Sequence, residues 1–291
     1  MSFHKTDTIM KKDEKDYLPQ SETEWLSTGK FTVEIATVSQ SRIRCALTRG
    51  REGDRLVIMV GGIPRDPTRR QKLPLINKLY GHLAIKLLDH GMSSLLYNQP
   101  ATGGSSGDWE KETLRSRAKT LEGIATHFSE QTSASDIALI GTSAGAYMAL
   151  SAIEKIQSEG CKVSRLVLLS PAAYPEEIET VPYGEAFTTL IRTPWDVATS
   201  PVFPRLKKFI SARGSLLVSF FEADTPPIPE YVQEYYRDFV RQLRTEGYDV
   251  TMLTIPGVAH NFRRIGVAEK KNVVDNDSIR ATAKKLSEFL V

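Results

Sequence analysis

Residues 136–147 read Asp-Ile-Ala-Leu-Ile-Gly-Thr-Ser-Ala-Gly-Ala-Tyr. The four apolar residues at 137–140 are typical of a short strand that is buried on both faces. Small residues follow at once, and Gly141, Ser143 and Gly145 form a Gly-x-Ser-x-Gly motif. In such a motif the serine occupies a strained turn from strand to helix, and its neighbours must be small because backbone packs closely around them. The pattern predicts that the Ser143 hydroxyl is lifted off the edge of a sheet.

The context of this motif carries the prediction, because the same pentapeptide also occurs by chance in glycine-rich loops. An apolar strand precedes it, and a helical pattern follows it. The residues spaced along one face of that helix are Ala144, Tyr147, Met148, Ser151 and Ala152. We therefore interpret the stretch as a nucleophile elbow.

The composition of the whole chain is that of an ordinary globular protein. Of its 291 residues, 41% are hydrophobic and 25% are charged, and the formal net charge is +3. This length suits a single α/β domain, and the charge is too small to indicate nucleic acid or an anionic membrane as a partner. The two cysteines, Cys45 and Cys161, lack a metal-type spacing, which favours reduced thiols and a cytoplasmic location. The oligomeric state stays open.

The beginning of the chain is expected to form an N-terminal arm, residues 1–29, ahead of one domain over residues 30–291. Residues 1–24 contain no apolar run, so we expect neither a secretory signal nor a membrane helix there. Residues 30–37 and 41–48 alternate apolar and polar side chains, which predicts an antiparallel pair of strands at one edge.

Continuous apolar strands alternate with helical patterns from residue 55 onward. These strands are predicted at residues 55–60, 94–97, 137–140, 165–170, 215–221 and 250–255. Such alternation implies right-handed crossovers and a mostly parallel sheet with helices on both faces. With the antiparallel pair, the fold class is α/β with an eight-stranded sheet.

The segment 173–213 interrupts this alternation, because it is long, carries several prolines and aromatic residues, and has no strand pattern. A segment of this length in a compact α/β domain is usually functional. We expect a small helical cap over the elbow, with Trp195 and Tyr183 as candidate walls of the substrate pocket. The alternative, that these aromatic residues only anchor the segment, is equally open.

Three polar residues follow the ends of predicted strands in the order Ser143, Asp224 and His260. The carboxyl ends of parallel strands face one crevice, so residues far apart in sequence can meet there. A serine hydroxyl is a weak nucleophile, an imidazole can take its proton near neutral pH, and a carboxylate can hold the imidazole in the required tautomer. The three side chains are therefore candidates for a catalytic triad.

The acid and the base each have competitors. Glu222 lies two residues from Asp224 and is a second possible acid, although Asp224 is favoured. The other histidines lie in the arm or in and beside predicted helices, where solvated roles are usual; they are His4, His82, His90 and His127. His260 is the histidine that follows a strand end, so it is the preferred base.

The order of these residues resembles that of the α/β-hydrolase family, from about Lys30 to the C-terminus. Residues 141–145 look like the family's elbow, Asp224 with Ile228 and Pro229 looks like its acid loop, and residues 257–262 look like its histidine loop. Residues 60–63, Val-Gly-Gly-Ile, resemble the oxyanion turn, although a histidine commonly stands where Gly61 is here.

A further similarity concerns the loop at residues 98–107. It is similar to the Asp-x-Arg-Gly-x-Gly-x-Ser segment of many members of the family. It departs from that pattern at Asn98, Pro100 and Ala101, and this difference concerns the substrate side of the pocket and not the triad.

The resemblance implies a role for each residue. Ser143 would attack an acyl carbon, His260 would act as general base and then general acid, and Asp224 would orient His260. The backbone amides of Ala144 and of either Gly62 or Ile63 would hold the oxyanion.

The resemblance also implies a serine hydrolase that cleaves a carboxylic ester of a small or medium acyl group, without a metal or organic cofactor. A small-molecule acyl substrate is the expected partner. A thioesterase, an amidase or an acyltransferase would use the same triad, and a non-catalytic homologue could use the pocket as a receptor.

Overall fold

The computed structural model describes residues 19–51, 53, 55–64, 67–225, 227–265 and 274–291. His4 and residues 1–18 of the predicted arm lie outside these ranges. The strands are β1 (Thr32–Val38), β2 (Ser41–Thr48), β3 (Leu56–Val60), β4 (Ser93–Tyr97), β5 (Asp136–Thr142), β6 (Lys162–Leu169), β7 (Ser215–Ala223), β8 (Val250–Ala259) and β9 (Arg263–Arg264). The helices are α1 (Glu22–Ser27), α2 (Lys78–Asp89), α3 (Leu114–Thr132), α4 (Ala144–Ser158), α5 (Glu185–Leu190), α6 (Val202–Ser211), α7 (Glu230–Thr245) and α8 (Asn276–Leu290).

The strands form one sheet in the order β1-β2-β4-β3-β5-β6-β7-β8-β9. The six strands from β3 to β8 run parallel to one another, whereas β1 and β2 pair antiparallel at one edge. The α/β class and the eight predicted strands are confirmed, and the two-residue strand β9 is added at the other edge. The elbow strand β5 lies between β3 and β6, near the middle of the sheet.

Two clusters of buried side chains cover the two faces of the sheet. The first cluster includes Leu121 of α3, Met148 of α4, Leu206 of α6 and Val240 of α7. The second cluster includes residues of α2 and α8, such as Leu83 and Leu286. The central strands β3 and β4 are buried at every residue, because helices cover both of their faces.

The described part of the predicted arm is packed against the domain. Trp25 of α1 is buried and meets Phe31 edge to face, with ring centroids 6.0 Å apart. A methyl group built on Gly81 of α2 would lie 2.7 Å from the Trp25 ring, so this glycine admits the close approach of α1. Residues 22–27 are therefore a helix of the domain, because Trp25 fills a gap in the second cluster.

The segment 173–213 is helical, as predicted, and it packs against the helices on one face of the sheet. It contains short 3-10 turns at Glu176–Thr180 and Val197–Thr199 in addition to α5 and α6. Its turns and α6 contact α3, α4 and α7. Its apolar side chains belong to the first buried cluster; they include Ile178, Phe187, Val197, Phe203, Leu206, Phe209 and Ile210. Burial of this apolar surface holds the segment against these helices.

Candidate active site

The turn from β5 to α4 has the strained geometry expected of an elbow. Ser143 adopts φ 55° and ψ −124°, a conformation that non-glycine residues rarely adopt. Methyl groups built on Gly141 and Gly145 would lie 2.4 Å from the Ala146 Cα and the Val60 carbonyl oxygen, respectively. Both positions therefore require glycine, because backbone and not flexible side chains fills the space.

Asp224 and His260 are joined by a hydrogen bond between the Asp224 Oδ1 and the His260 Nδ1, which are 2.5 Å apart. The Asp224 side chain is fully buried, and that of His260 is 14% exposed. The other carboxylate oxygen accepts hydrogen bonds from the Ser170 hydroxyl at 2.5 Å and from the Phe221 amide at 3.1 Å. A buried carboxylate needs such donors, because burial deprives it of hydrogen bonds to water.

A cleft of about 740 Å³ contains Ser143 and His260 in its lining. One wall comes from β3 and the residues between β3 and α2, including Gly62, Leu73 and Leu75. Polar residues lie on another part of the lining; they are Asn77, Lys78, Asn98, Gln99 and Thr102. Phe221, Phe262 and Ile279 add apolar surface near the histidine. Both the nucleophile and base candidates are thus open to a small molecule.

The hydrogen bonds among the described residues include none between Ser143 and His260. In enzymes without substrate, the bond between nucleophile and base is often long and tightens only in the complex. Phe221 meets the His260 ring edge to face, with centroids 5.9 Å apart, and it also meets Phe262 at 4.8 Å. These aromatic contacts limit where the imidazole ring can move.

The predicted oxyanion residues lie beside the serine. A methyl group built on Gly62 would be 3.2 Å from the Ser143 Cβ and 3.7 Å from its Oγ, so the backbone of Gly62 adjoins the nucleophile candidate. Ile63 lines the same cleft. Ala144 is the first residue of α4, and an amide at this position has no acceptor one turn earlier within its helix. An anion near Ser143 would also benefit from the helix dipole.

The competing acid and bases are placed elsewhere. Glu222 is exposed, and its Oε2 accepts a hydrogen bond from the Gly257 amide at 2.6 Å. His127 is exposed on α3, and His90 is exposed directly after the end of α2. Burial lowers the pKa of His82 to about 4, with further contributions from Lys86 and Arg280. Among the described histidines, His260 is the one in the cleft lining.

Two contributors to this region were not predicted from the sequence. Ser170 follows β6 and binds Asp224, and its only signal is a polar residue directly after a buried strand. Tyr80 of α2 lies with its hydroxyl oxygen 2.5 Å from the Thr142 Oγ1, and it donates to the Val60 carbonyl at 3.2 Å. It thereby ties α2 to the residue before the nucleophile. Helical periodicity gives no signal for that contact.

Tyr183 and Trp195 do not line the cleft, and this corrects the predicted substrate pocket. Within the described chain, no residue of 173–213 lines the cleft that contains Ser143. Tyr183 is buried between Trp109 and Phe187, with ring centroids at 5.1 and 4.9 Å. Trp195 is partly buried against the first cluster. These positions fit the alternative that the two aromatic residues anchor the segment, because both pack against apolar side chains of the first cluster.

Two features are absent from the described residues. No group of three or more His, Cys, Asp or Glu side chains there is arranged to hold a metal ion. None of the helices in the described ranges combines the length and the apolar character that a membrane span requires.

Comparison with solved structures identifies the fold. Est1E from Butyrivibrio proteoclasticus, in a structure with ferulic acid bound, is 17% identical, with a TM-score of 0.62 over 89% of this chain and 97% of that chain. XC6422 from Xanthomonas campestris, described as an α/β serine hydrolase without a lid, is 16% identical, with a TM-score of 0.56 over 90% and 95% of the two chains. Dienelactone hydrolase from Anabaena variabilis is 15% identical, with a TM-score of 0.55 over 90% and 97%.

These similarities extend over nearly the whole chain, so the protein has the α/β-hydrolase fold, as the sequence predicts. No protein-family model matches the chain, and no curated protein matches it.

Proposed function

We propose that the protein is a serine hydrolase that cleaves a carboxylic ester through an acyl-enzyme. The observation that carries this proposal is the hydrogen bond from His260 to the fully buried Asp224, in a cleft that also exposes Ser143 on its strained turn. A buried carboxylate that is held against one imidazole nitrogen leaves the other nitrogen to act as a base.

In the proposed reaction, the Ser143 Oγ attacks the acyl carbon while His260 Nε2 takes its proton. The amides of Ala144 and of Gly62 or Ile63 stabilise the oxyanion that forms. His260 then gives the proton to the leaving alcohol, and an acyl-enzyme remains on Ser143. Water activated by His260 releases the acid and restores the serine. The Asp224 side chain orients the imidazole ring and stabilises the imidazolium.

A fluorophosphonate probe and a series of p-nitrophenyl esters test the proposal. The expected result is stoichiometric labelling, with hydrolysis of short or medium esters, and loss of both in Ser143→Ala. Ser158→Ala is the matched control, because Ser158 is an exposed serine at the end of the same helix. Labelling and turnover that persist in Ser143→Ala would contradict the proposal.

The same experiment separates the alternatives that share the triad. Thioesters, amides and an added acyl acceptor, offered in parallel with the esters, distinguish a thioesterase, an amidase and an acyltransferase. A non-catalytic receptor would bind acyl compounds without labelling or turnover. The mixed apolar and polar lining of the cleft supports a small or medium acyl substrate with a polar substituent.

A cytoplasmic location is part of the proposal and draws its support from the cysteines. Cys45 and Cys161 are both free thiols. Burial raises the pKa of the Cys45 thiol to about 12, so this side chain is unreactive where it lies in β2. Free thiols fit a reducing compartment.

A further inference from the structure

The turn after β6, residues 169–172, contacts both the nucleophile candidate and the acid candidate. The Leu169 carbonyl accepts a hydrogen bond from the Ser143 amide at 2.9 Å, and the Ala172 amide donates to the Ser143 carbonyl at 3.3 Å. Between these two, Ser170 donates its hydroxyl hydrogen to the Asp224 Oδ2. One short segment therefore holds the backbone of Ser143 and the carboxylate of Asp224 at the same time.

Ser170 itself is firmly placed. It is 1% exposed, and its amide donates to the Ser219 carbonyl of β7 at 2.6 Å. Its φ of 46° lies in the left-handed region, which costs free energy in a residue other than glycine. Glycine would be less strained than serine at this position. Serine, unlike glycine, supplies the hydroxyl group that binds Asp224.

The two oxygens of Asp224 have different partners. Oδ2 accepts from Ser170 and from the Phe221 amide, whereas Oδ1 faces the His260 ring. The hydrogen bonds to Oδ2 fix the rotation of the carboxylate about its last bond, and this rotation directs Oδ1 at Nδ1. Loss of one donor would leave the buried Oδ2 with a single partner. The Asp224 carboxylate would then be less stabilised and free to rotate more.

We propose that Ser170 is a positioning residue that acts through Asp224 to hold His260 in its productive orientation. The inference rests on the proposed function for its catalytic consequence. Its geometric part, the control of the hydrogen bond between Asp224 and His260, is measurable without turnover. Ser170 touches neither substrate nor reacting atoms in this scheme.

Ser170→Ala and Ser170→Gly test the inference together. Both remove the hydroxyl, while glycine also relieves the positive φ, so the second variant guards against a loss caused by misfolding. We expect both to lower kcat roughly ten- to hundredfold, the range for loss of one hydrogen bond to a buried charge, with KM little changed. Ser94→Ala is the matched control, because Ser94 is equally buried in β4 and its Oγ has no hydrogen-bond partner among the described residues.

Proton NMR supplies the readout that does not depend on turnover. The proton between the His260 Nδ1 and the carboxylate is expected as a separate downfield resonance, assigned by its absence in His260→Ala. In both Ser170 variants it should shift or broaden, because the carboxylate is less constrained. Ser94→Ala should leave it as in the wild type.

Four results would overturn the inference: an unchanged resonance in both Ser170 variants, full turnover in both, a loss of turnover in Ser170→Ala that Ser170→Gly does not share, or an equal loss in Ser94→Ala. A wild-type protein without ester hydrolysis whose resonance still depends on Ser170 would contradict the proposed hydrolase and leave the positioning role standing.

Discussion

At the level of single residues, burial separates the two carboxylates at the end of β7. Asp224 is buried and both of its carboxylate oxygens have hydrogen-bond partners, whereas Glu222 is exposed and accepts a hydrogen bond from the Gly257 amide. Only the enclosed carboxylate touches the histidine among the contacts of the described residues. This difference predicts how strongly a substitution of each acidic residue should lower kcat.

Asp224→Asn is expected to lower kcat by roughly four orders of magnitude, because the amide favours the wrong imidazole tautomer while packing is kept. Glu222→Gln should change kcat less than a few fold, since a glutamine oxygen can still accept from Gly257. Steady-state kinetics on the best p-nitrophenyl ester measures both. A larger loss in the Glu222 variant would move the acid role to that residue.

The paired glycines after β3 give a second prediction at this scale. A methyl group on Gly62 would lie 3.2 Å from both the Ser143 Cβ and the Thr142 carbonyl oxygen, whereas one on Gly61 would meet nothing within 4 Å. Gly62→Ala should therefore lower kcat about tenfold or more, by shifting the oxyanion amides relative to Ser143. Gly61→Ala should keep kcat near that of the wild type. Equal kinetics in the two variants would place the oxyanion site elsewhere.

At the level of elements, the close contact of α4 with β3 limits the size of the side chain that position 145 of the elbow can carry. Alanine is favoured over glycine inside a helix by about 1 kcal/mol, so propensity alone predicts that Gly145→Ala stabilises the protein. The new methyl group would lie 2.4 Å from the Val60 carbonyl oxygen and 2.6 Å from that of Gly61.

We expect the clash to dominate and to lower the free energy of unfolding by about 1 to 3 kcal/mol, because backbone atoms cannot move aside. Urea unfolding measures this change. Gly184→Ala is the control, since a methyl group there meets nothing within 4 Å and the residue is extended, with φ 174°. A Gly145→Ala protein as stable as the wild type would show that α4 can shift away from β3.

The segment 173–213 offers a prediction that follows from its packing outside the cleft lining. Tyr183→Ala should lower the free energy of unfolding by about 3 to 5 kcal/mol, the cost of emptying a large buried aromatic site. Its ester chain-length profile should match that of the wild type, as should that of Trp195→Ala. Tyr183→Phe should be close to neutral, because the Tyr183 hydroxyl is buried without a hydrogen-bond partner among the described residues. A changed chain-length profile in the alanine variants would return this segment to the substrate site.

At the level of the whole molecule, the helical layer of α2 and α8 makes stability depend on pH. Burial, with Lys86 and Arg280 nearby, lowers the pKa of His82 from 6.5 to about 4. The unfolded chain therefore binds a proton more readily than the folded protein does between these two pH values. Above pH 6.5, His82 does not reduce the free energy of unfolding. As the pH drops from 6.5 towards 4, His82 lowers this free energy, and below pH 4 its effect stays constant.

His82→Gln should remove this part of the pH dependence, so that its free energy of unfolding decreases less than that of the wild type between pH 6.5 and 4.5. Chemical unfolding at several pH values measures the free energy of unfolding of both proteins. Carboxylates that titrate in the same range contribute equally to both, so their contribution cancels in the difference. The exposed His127→Gln is the control and should follow the wild type. A His82 variant parallel to the wild type would contradict the prediction.

Local features of the sequence are sufficient to predict the α/β class, the eight main strands and the elbow. A buried parallel strand needs a continuous apolar run, and the elbow needs small residues on either side of Ser143. The meeting of Asp224 and His260 could also be expected, since the carboxyl ends of parallel strands share one crevice and both residues follow such ends. Their hydrogen bond is found in the structure.

Long-range packing, which no local pattern encodes, determines which surfaces cover the sheet and which line the cleft. Residues 173–213 could line the cleft or pack outside its lining with the same helical pattern, and they pack against α3, α4 and α7 outside that lining. The packing of Trp25 and the bond from Ser170 to Asp224 likewise join segments distant in sequence. Hydrophobic periodicity predicts which face of an element is apolar. It does not predict which element packs against that face, because this depends on the assembly of the whole chain.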